Sequence, residues 1–295
     1  MHTPRNRRRA ATTIAAMALV VPAVGWASTN PFDAFSGSTD RGTSAVVSDH
    51  GNILAFAGPT VAGADYEHVN VGALSEGYVL CYRHPTTGLY VNAFDVGSAE
   101  AGFGAPAPAP SAGGADDMQV TRPTSDGVLQ LKQGFLFYGK EKRLEVGMSV
   151  INRNPFPVTG VVLRRQADFD VDGAGAAGWA AGRNFWARTS RDSVFAWNEP
   201  STAPAGREAH GMLMTHRATH RYASGVYTEL PASVRSAKVT ENPLDSSCNP
   251  PAKATPVTTP ADDGATLQVD IGTIPAAPAP GTDTRVTVGL VYQRL

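Results

Sequence analysis

Hydrophobic and polar residues alternate along this chain in short runs, and turn-forming residues separate one run from the next. The 295 residues include 30 Gly and 22 Pro. Beyond the N-terminus, no run places apolar residues at helical spacing over three turns. Short alternating runs between turn residues are typical of antiparallel strands. We therefore predict an all-β protein, a large antiparallel β-sandwich with many short strands and long Pro/Gly-rich loops.

The clearest unit is a set of three long strands in the middle of the chain. The strands and their two turns follow in the order 128–138, 139–142, 143–152, 152–157 and 158–171. Pro155 and Pro157 lack the backbone donors that a central strand would need, so they belong to the second turn. The pattern predicts two consecutive hairpins, with the three strands adjacent to one another.

The side chains of the third strand separate by parity. One parity is apolar, at Val161, Leu163, Ala167, Phe169 and Val171. The other parity is polar and includes Arg164 and Gln166. Because neighbouring side chains of a strand point to opposite faces, we predict one core face and one solvated face. Arg165 lies on the core side, where it requires a carboxylate or carbonyl partner.

The N-terminus has the three-part form of a secretory signal. Basic residues from Arg5 to Arg9 precede an apolar stretch over 10–24, and small residues lead up to Ala27. The apolar stretch is shorter than the ~20 residues that cross a bilayer, so a cleaved signal is favoured over a membrane anchor. We expect removal of the signal peptide, residues 1–27. The mature protein is then secreted, extracellular or at the cell surface, or periplasmic in a Gram-negative cell.

The charge of the mature chain disfavours two classes of partner. The leader holds four of the 25 Lys and Arg residues and none of the 26 Asp and Glu residues, so the mature chain has a net charge of −5. Nucleic acids and anionic membrane surfaces need concentrated Lys and Arg. The mature chain has no basic run. We expect no nucleic acid partner and no membrane span.

The two cysteines of the chain are Cys81 and Cys248. In a chain that enters an oxidising compartment, an even number of cysteines usually means pairing. We therefore predict a disulfide between them. Two unpaired buried thiols are the alternative.

Residues 28–295 are expected to form a single large sandwich domain. The Ala-Pro repeats within 104–117 offer an alternative boundary, since such runs act as semi-rigid spacers. One domain is preferred because residues 44–103 alone would supply a thin core. A bridge from Cys81 to Cys248 would also tie the two portions together.

Two stretches resemble the immunoglobulin-like modules of bacterial cell-surface proteins. The first is 144–171, with a strand that ends in Asn152, a Pro-containing turn and a valine-rich strand. The second comprises 271–275 and Gly281-Thr282 before the last strand. The long segment 164–172 departs from those modules and is similar to larger exported β-sandwich proteins of unassigned function. The resemblance implies a fold class and a surface context, and it transfers no catalytic residue.

Alternating carboxylates at Asp168, Asp170 and Asp172 precede Gly173, as in the first half of a calcium loop. The twelfth position of this run is Trp179, which lacks the carboxylate that an EF-hand requires there. A different calcium loop and a solvated strand face both remain open. No other cofactor is expected.

Five aromatic residues lie close together in sequence: Trp179, Phe185, Trp186, Phe195 and Trp197. Trp186 and Trp197 fall in predicted strands and are core candidates. Trp179 lies in the Gly-rich run 173–182, where so much backbone freedom argues against a buried strand. We predict that Trp179, together with Phe185, forms an exposed contact for a ligand.

No complete catalytic motif is present. The chain lacks Gly-x-Ser-x-Gly. His210, His216 and His220 share one parity, but 210 and 220 would lie about 33 Å apart on a straight strand. Surface or singly hydrogen-bonded histidines are therefore favoured over a metal site. His50 follows Asp49, yet neighbours in an extended strand point to opposite faces and would not cooperate.

Two functions follow as expectations. The first is an exported non-enzymatic sandwich that binds an extracellular polymer, glycan or protein. The alternative is a secreted glycan-active or other hydrolase or lyase on the same scaffold, with scattered His, Asp and Glu residues. A cleft that gathers histidines and carboxylates would favour the enzyme, and a flat aromatic strip would favour the binding protein.

Overall fold

A computed structural model describes residues 31–32, 44–59, 65–67, 69, 76–97, 99–110, 117–171, 184–198, 210–217, 219–222, 225–228, 234–241 and 245–295. The predicted leader lies outside them. Over these ranges the regular structure is β-strands and one 3-10 turn at Gly139–Glu141. The strands are β1 Pro31–Phe32, β2 Ser44–Ser48, β3 Ile53–Pro59, β4 Asp65–Glu67, β5 Glu76–Arg83, β6 Tyr90–Val96, β7 Ala99–Ala101, β8 Ala107–Pro110, β9 Asp117–Pro123, β10 Gln130–Tyr138, β11 Arg143–Asn152, β12 Val158–Asp168, β13 Asn184–Ser190, β14 Ser193–Trp197, β15 Gly211–Arg217, β16 Thr219–Tyr222, β17 Gly225–Thr228, β18 Val234–Thr240, β19 Val257–Ala261, β20 Gly264–Ile274 and β21 Thr284–Arg294.

Two antiparallel sheets pack face to face as a sandwich, which confirms the predicted fold class. Across the described residues, one sheet has nine strands in the order β19-β13-β14-β15-β21-β11-β10-β9-β8, and the other has six in the order β18-β20-β12-β5-β6-β7. Inward side chains such as Met148 on β11 and Leu163 on β12 fill the space between them. No helix in the described ranges is long and apolar enough to cross a membrane.

Two smaller sheets lie against this sandwich. Strands β1–β4 form one of them, and the hairpin β16–β17 forms the other. The hairpin contacts β10, β11 and β21. Those three strands carry Gly134, Gly147 and Gly289 in one row. Because glycine has no side chain, the row permits another backbone to approach the sheet closely.

The first predicted hairpin is present and the second is not. β10 pairs with β11 from Tyr138↔Arg143 to Gln130↔Ile151. β11 and β12, however, lie in different sheets, so the turn between them crosses the sandwich. Asn152 holds this crossing, since its Nδ2 donates to the carbonyl oxygens of Phe156 and Pro275, at 2.9 Å each. A proline turn suits a hairpin and a crossing equally well, and the sequence did not separate them.

The inward Arg165 has the carboxylate partner that was predicted. Its Nε lies 2.5 Å from Oε1 of Glu76, and its Nη2 lies 2.9 Å from Oε2. Its Nη1 donates to Gln133 Oε1 at 2.6 Å, and Nη2 also donates to the carbonyl of Gly51 at 2.9 Å. Tyr292 completes the network by donating to Glu76 at 2.7 Å. These side chains join the two sheets to the β2–β3 turn.

Gly51 shows how tightly that turn inserts between the sheets. Its φ is +89°, and a Cβ there would lie 2.3 Å from Nε2 of Gln133. The backbone conformation therefore requires glycine, and a side chain there would also displace the Gln133 amide.

The predicted disulfide is present between Cys81 on β5 and Cys248, whose Cα atoms are 5.8 Å apart. It suggests an oxidising compartment. The bridge holds the segment 245–253 against the outer face of the six-stranded sheet, where Cys248 packs on Val79 and Val96. The prediction of a solvated face on β12 is consequently wrong. Arg164 is 1% exposed and Gln166 is 0% exposed, because this segment covers them.

The Ala-Pro stretch 104–117, which the sequence offered as an alternative domain boundary, contains the strand β8. β8 lies at the edge of the nine-stranded sheet and pairs with β9. An edge tolerates proline because one side of the strand needs no backbone donor. Strands β5–β7, which precede this stretch, lie in the same sheet as β12, β18 and β20.

Candidate functional site

Three aromatic rings form a continuous stack on the outer face of the nine-stranded sheet. Phe185 on β13 pairs with Trp197 on β14, and their ring centroids are 5.8 Å apart with planes 23° from parallel. Phe195 on β14 also stacks on Trp197, with centroids 5.3 Å apart and planes 11° from parallel. All three residues are partly exposed. We refer to Phe185, Trp197 and Phe195 as the aromatic ladder.

The register of the β13–β14 hairpin decides which tryptophan points outward. Trp186 faces Ala196 and is completely buried, as predicted. Its indole N–H donates to the carbonyl of Ala261 at 3.0 Å, and its ring stacks on Phe169. Trp197 has the opposite parity. Its prediction as a core residue is therefore wrong, because a strand period of two sends it to the outer face.

A glycine on the next strand supports the ladder. Gly211 on β15 lies opposite Trp197 in register. A Cβ at this position would lie 2.4 Å from two ring carbons of Phe195, so the Phe195 ring rests directly on the Gly211 backbone. Leu213, which faces Phe195 on β15, extends the apolar surface. The ladder is thus a packed platform on a sheet and not a set of independent side chains.

The turn of the same hairpin provides a polar end to this platform. The Thr189 and Ser193 hydroxyl oxygens are 2.5 Å apart, and those of Ser190 and Ser193 are 2.9 Å apart. The side chain of Arg191 is 75% exposed. Hydroxyl and guanidinium groups can exchange hydrogen bonds with a polar ligand that reaches beyond the rings.

No protein-family model matches the chain, and no curated protein matches it.

A second group of interest combines one histidine with two carboxylates and an arginine. His50 Nδ1 lies 2.8 Å from Asp95 Oδ2 and 2.9 Å from Glu100 Oε2. Arg122 Nη1 lies 2.5 Å from the same Asp95 oxygen, and its Nη2 lies 3.3 Å from Glu100. Tyr78 donates to the His50 carbonyl at 2.7 Å. We refer to His50, Asp95, Glu100 and Arg122 as the charged cluster.

The charged cluster is internally neutralised. The hydrogen bonds to Asp95 and then Glu100 raise the pKa of His50 to about 9. The hydrogen bond from His50 lowers the pKa of Glu100 to about 2. At neutral pH two cations therefore face two anions. A protonated His50 can donate a proton but cannot act as a general base.

The charged cluster also contains the only three metal-ligand atoms in the described ranges that lie within 4.8 Å of one another, from His50, Asp95 and Glu100. A cation there would have to replace the His50 proton and compete with Arg122 for both carboxylates. The arrangement fits an ion-pair network that ties the β2–β3 turn to both sheets. The sequence pointed to His50 only through the Asp49-His50 pair, since Asp95 and Arg122 are 45 and 72 residues away.

The predicted calcium ligands lie at the end of β12. Asp168 and Asp170 are described there, and Asp172 lies outside the described residues. Burial and then the charge of Asp170 raise the pKa of Asp168 to about 8, and Asp262 and Asp263 from the β19–β20 turn add to the rise. Within the described part of the chain, no three of these carboxylates converge within 4.8 Å. Calcium binding stays a prediction.

The remaining predicted residues do not form a common site. Trp179 lies outside the described residues, as does the side chain of His220. His210 Nε2 lies 3.2 Å from Nη2 of Arg294. His216 is 7% exposed, so the surface position, one of the two predicted alternatives for these histidines, does not apply to it. Its parity on β15 matches that of core residue Met214, and burial lowers its pKa to about 4.

Proposed function

We propose that this protein is an exported, non-enzymatic β-sandwich that binds a glycan along the aromatic ladder. The observation that carries the proposal is the stack of Phe185, Trp197 and Phe195 on an outer sheet face. A sugar ring has an apolar face of C–H groups and a rim of hydroxyls, so it can stack on an aromatic ring while its rim stays hydrogen-bonded.

The surroundings of the ladder favour a glycan over a protein partner. Thr189, Ser190 and Ser193 place three hydroxyl groups at one end of the hairpin. Hydroxyls that both donate and accept suit a ligand whose own groups are hydroxyls. The mature chain has a mildly acidic net charge and no basic run, which disfavours a polyanion.

Three features support export of the protein to a surface. The first 27 residues have the form of a cleavable signal. The Cys81–Cys248 disulfide is typical of proteins that fold in an oxidising compartment. The resemblance of 144–171 to immunoglobulin-like surface modules is consistent with the same location.

The first prediction concerns Trp197 at the centre of the ladder. The mature protein is titrated with cello-, xylo- and chito-oligosaccharides, and binding is measured by calorimetry. We expect Trp197→Ala to weaken binding by about tenfold or more, because truncating a central aromatic anchor typically costs about 2 kcal/mol or more. Its effect on stability should stay well below the ~3–5 kcal/mol of a core Trp truncation.

Two matched variants make the test specific. Tyr90→Ala removes an aromatic ring that is 57% exposed on the other sheet, and it should bind as the wild type does. Gly211→Ala removes no ring but displaces Phe195, so it should weaken binding. Equal affinity of the wild type and Trp197→Ala for every oligosaccharide bound would refute the role of the ladder. Release of new reducing ends in the same samples would instead support the hydrolase alternative.

The contribution of Trp179 is tested in the same assay. If Trp179 is a ligand contact, Trp179→Ala should weaken binding and leave the melting temperature nearly unchanged. A loss of stability typical of a core tryptophan would identify Trp179 as structural.

A further inference from the structure

The outer face of β12 contains buried polar side chains that the proposed function does not use. Arg164 and Gln166 point to this face and are 1% and 0% exposed. The covering segment 245–253 is attached on both sides of them. On one side, Asn92 Nδ2 of β6 donates to the carbonyl of Ser246 at 2.6 Å. On the other side, Lys238 Nζ of β18 donates to the carbonyl of Pro250 at 3.1 Å. The segment therefore passes over β12.

These side chains lack hydrogen-bond partners within the part of the chain that the structure describes. The Nε, Nη1 and Nη2 atoms of Arg164 make no hydrogen bond, and neither do the amide nitrogen and oxygen of Gln166. Gln268 faces Arg164 on β20 and is 4% exposed; its Nε2 donates to Asp270 Oδ1 at 2.8 Å, and its Oε1 has no partner. Gln166 lies two residues from Arg164, about 7 Å along the same face. The neighbouring Arg165, by contrast, is paired with Glu76 and Gln133.

Burial of a guanidinium without a partner is energetically unfavourable. Removing a charge from water is unfavourable unless an opposite charge or several hydrogen bonds replace the water. Burial lowers the pKa of Arg164 to about 10. The negative charge of Asp245 partly opposes this shift, but Asp245 makes no hydrogen bond to the guanidinium. Arg164 therefore keeps its charge at neutral pH. Burial lowers the pKa of Lys238, the charge of Asp270 opposes this shift, and the charge of Arg164 adds to it, so a second cation and a carboxylate lie nearby.

We propose that Arg164, Gln166 and Gln268 form a binding site for a small hydroxyl-bearing oxyanion of the phosphate class, beneath the segment 245–253. The planar guanidinium of Arg164 can donate parallel hydrogen bonds to two oxygens of one anion, and the Gln166 amide nitrogen adds a further donor. The amide oxygens of Gln166 and Gln268 accept hydrogen bonds, so the ligand must also donate one. Phosphate at neutral pH carries a hydroxyl, whereas sulfate does not. The site lies on the opposite sheet from the aromatic ladder and is independent of it.

The second prediction is tested by thermal unfolding of the mature protein in phosphate, sulfate and chloride at equal ionic strength. A ligand that binds only the folded state raises the melting temperature with its concentration. We expect phosphate to raise it by roughly 5 to 10 °C at one hundred times the Kd, and sulfate to raise it less. Phosphate and sulfate also stabilise proteins in general, because both are excluded from the protein surface. This general effect does not saturate as the salt concentration rises. Calorimetric titration with inorganic phosphate then gives the Kd and the stoichiometry.

Two arginine variants separate the site from that general effect. Arg164→Met keeps the volume of the side chain and removes the charge, so the protein should fold and lose the difference between phosphate and sulfate. Arg153→Met removes an exposed arginine from the β11–β12 turn and should keep the difference. The proposal is overturned if the wild type melts at the same temperature in phosphate and sulfate while Arg164→Met is more stable in both. Arg164 would then be an unliganded buried charge.

Discussion

His50 and His216 are shifted in opposite directions, and both shifts make stability depend on pH. His216 has a folded-state pKa of about 4 against 6.5 for the free side chain. Between these values the unfolded chain binds more protons, so stability falls as the pH decreases from 6.5 to 4. His50 has a folded-state pKa of about 9. Its stabilisation is complete below pH 6.5 and is lost as the pH rises to 9.

The third prediction is therefore a decline of stability above pH 6.5, measured by urea unfolding from pH 4 to 9. Asp168, with its pKa raised from 3.8 to about 8, makes stability fall as the pH rises from 4 to 8, so it offsets the acidic slope of His216 and adds to the alkaline decline. His50→Gln should remove part of the alkaline decline, and His216→Leu should make stability fall with rising pH already between pH 4 and 6.5. An alkaline slope identical in the wild type and His50→Gln would contradict the role of the charged cluster.

At the scale of single elements, the acidic end of β12 gives the fourth prediction. Asp168 lies near Asp170 and the β19–β20 turn, but a calcium site needs more converging oxygens than the described residues provide. We expect a chelator to change the melting temperature little. Asp170→Ala should behave as the wild type does in this experiment. A clear shift on chelation that Asp170→Ala abolishes would instead establish a calcium site.

The strand β12 also shows how one element serves several parts of the molecule. Its apolar parity packs Leu163 into the core, and Arg165 joins the two sheets through Glu76. Its opposite parity presents Arg164 to the covered outer face. Strand parity alone correctly predicted the face that packs into the core. Burial of the second depends on a segment about 80 residues later in the chain, which strand periodicity does not encode.

At the scale of the whole molecule, the disulfide connects residues 167 positions apart. Closing so long a loop restricts the unfolded chain, and the chain-entropy estimate is a stabilisation of about 5 kcal/mol. The fifth prediction is that the double variant Cys81→Ser, Cys248→Ser unfolds at a lower urea concentration than the wild type. The segment 245–253 should also become more accessible to proteases. Titration of two reactive thiols in the secreted wild type would contradict the bridge.

The sequence by itself determined the elements of this protein and the chemistry of some of their residues. The alternation of apolar and polar residues predicted the all-β class and located the strands β10–β12 within a few residues. It also showed that alternate residues from Val161 to Val171 face the core and that Arg165 among them needs a partner. The count of cysteines gave the disulfide. All of these follow from local spacing or from the physical requirement of a buried group, which a single sequence carries.

Only the tertiary structure decided which elements meet. It placed β11 and β12 in different sheets, turned Trp197 outward beside Phe185, and brought His50 to Asp95 and Arg122 across the chain. It also covered Arg164 with a distant segment. Strand pairing and sheet packing join residues that are far apart in sequence, and their register depends on the combined burial of many side chains. The candidate sites arise from those long-range contacts, and local patterns therefore did not reveal them.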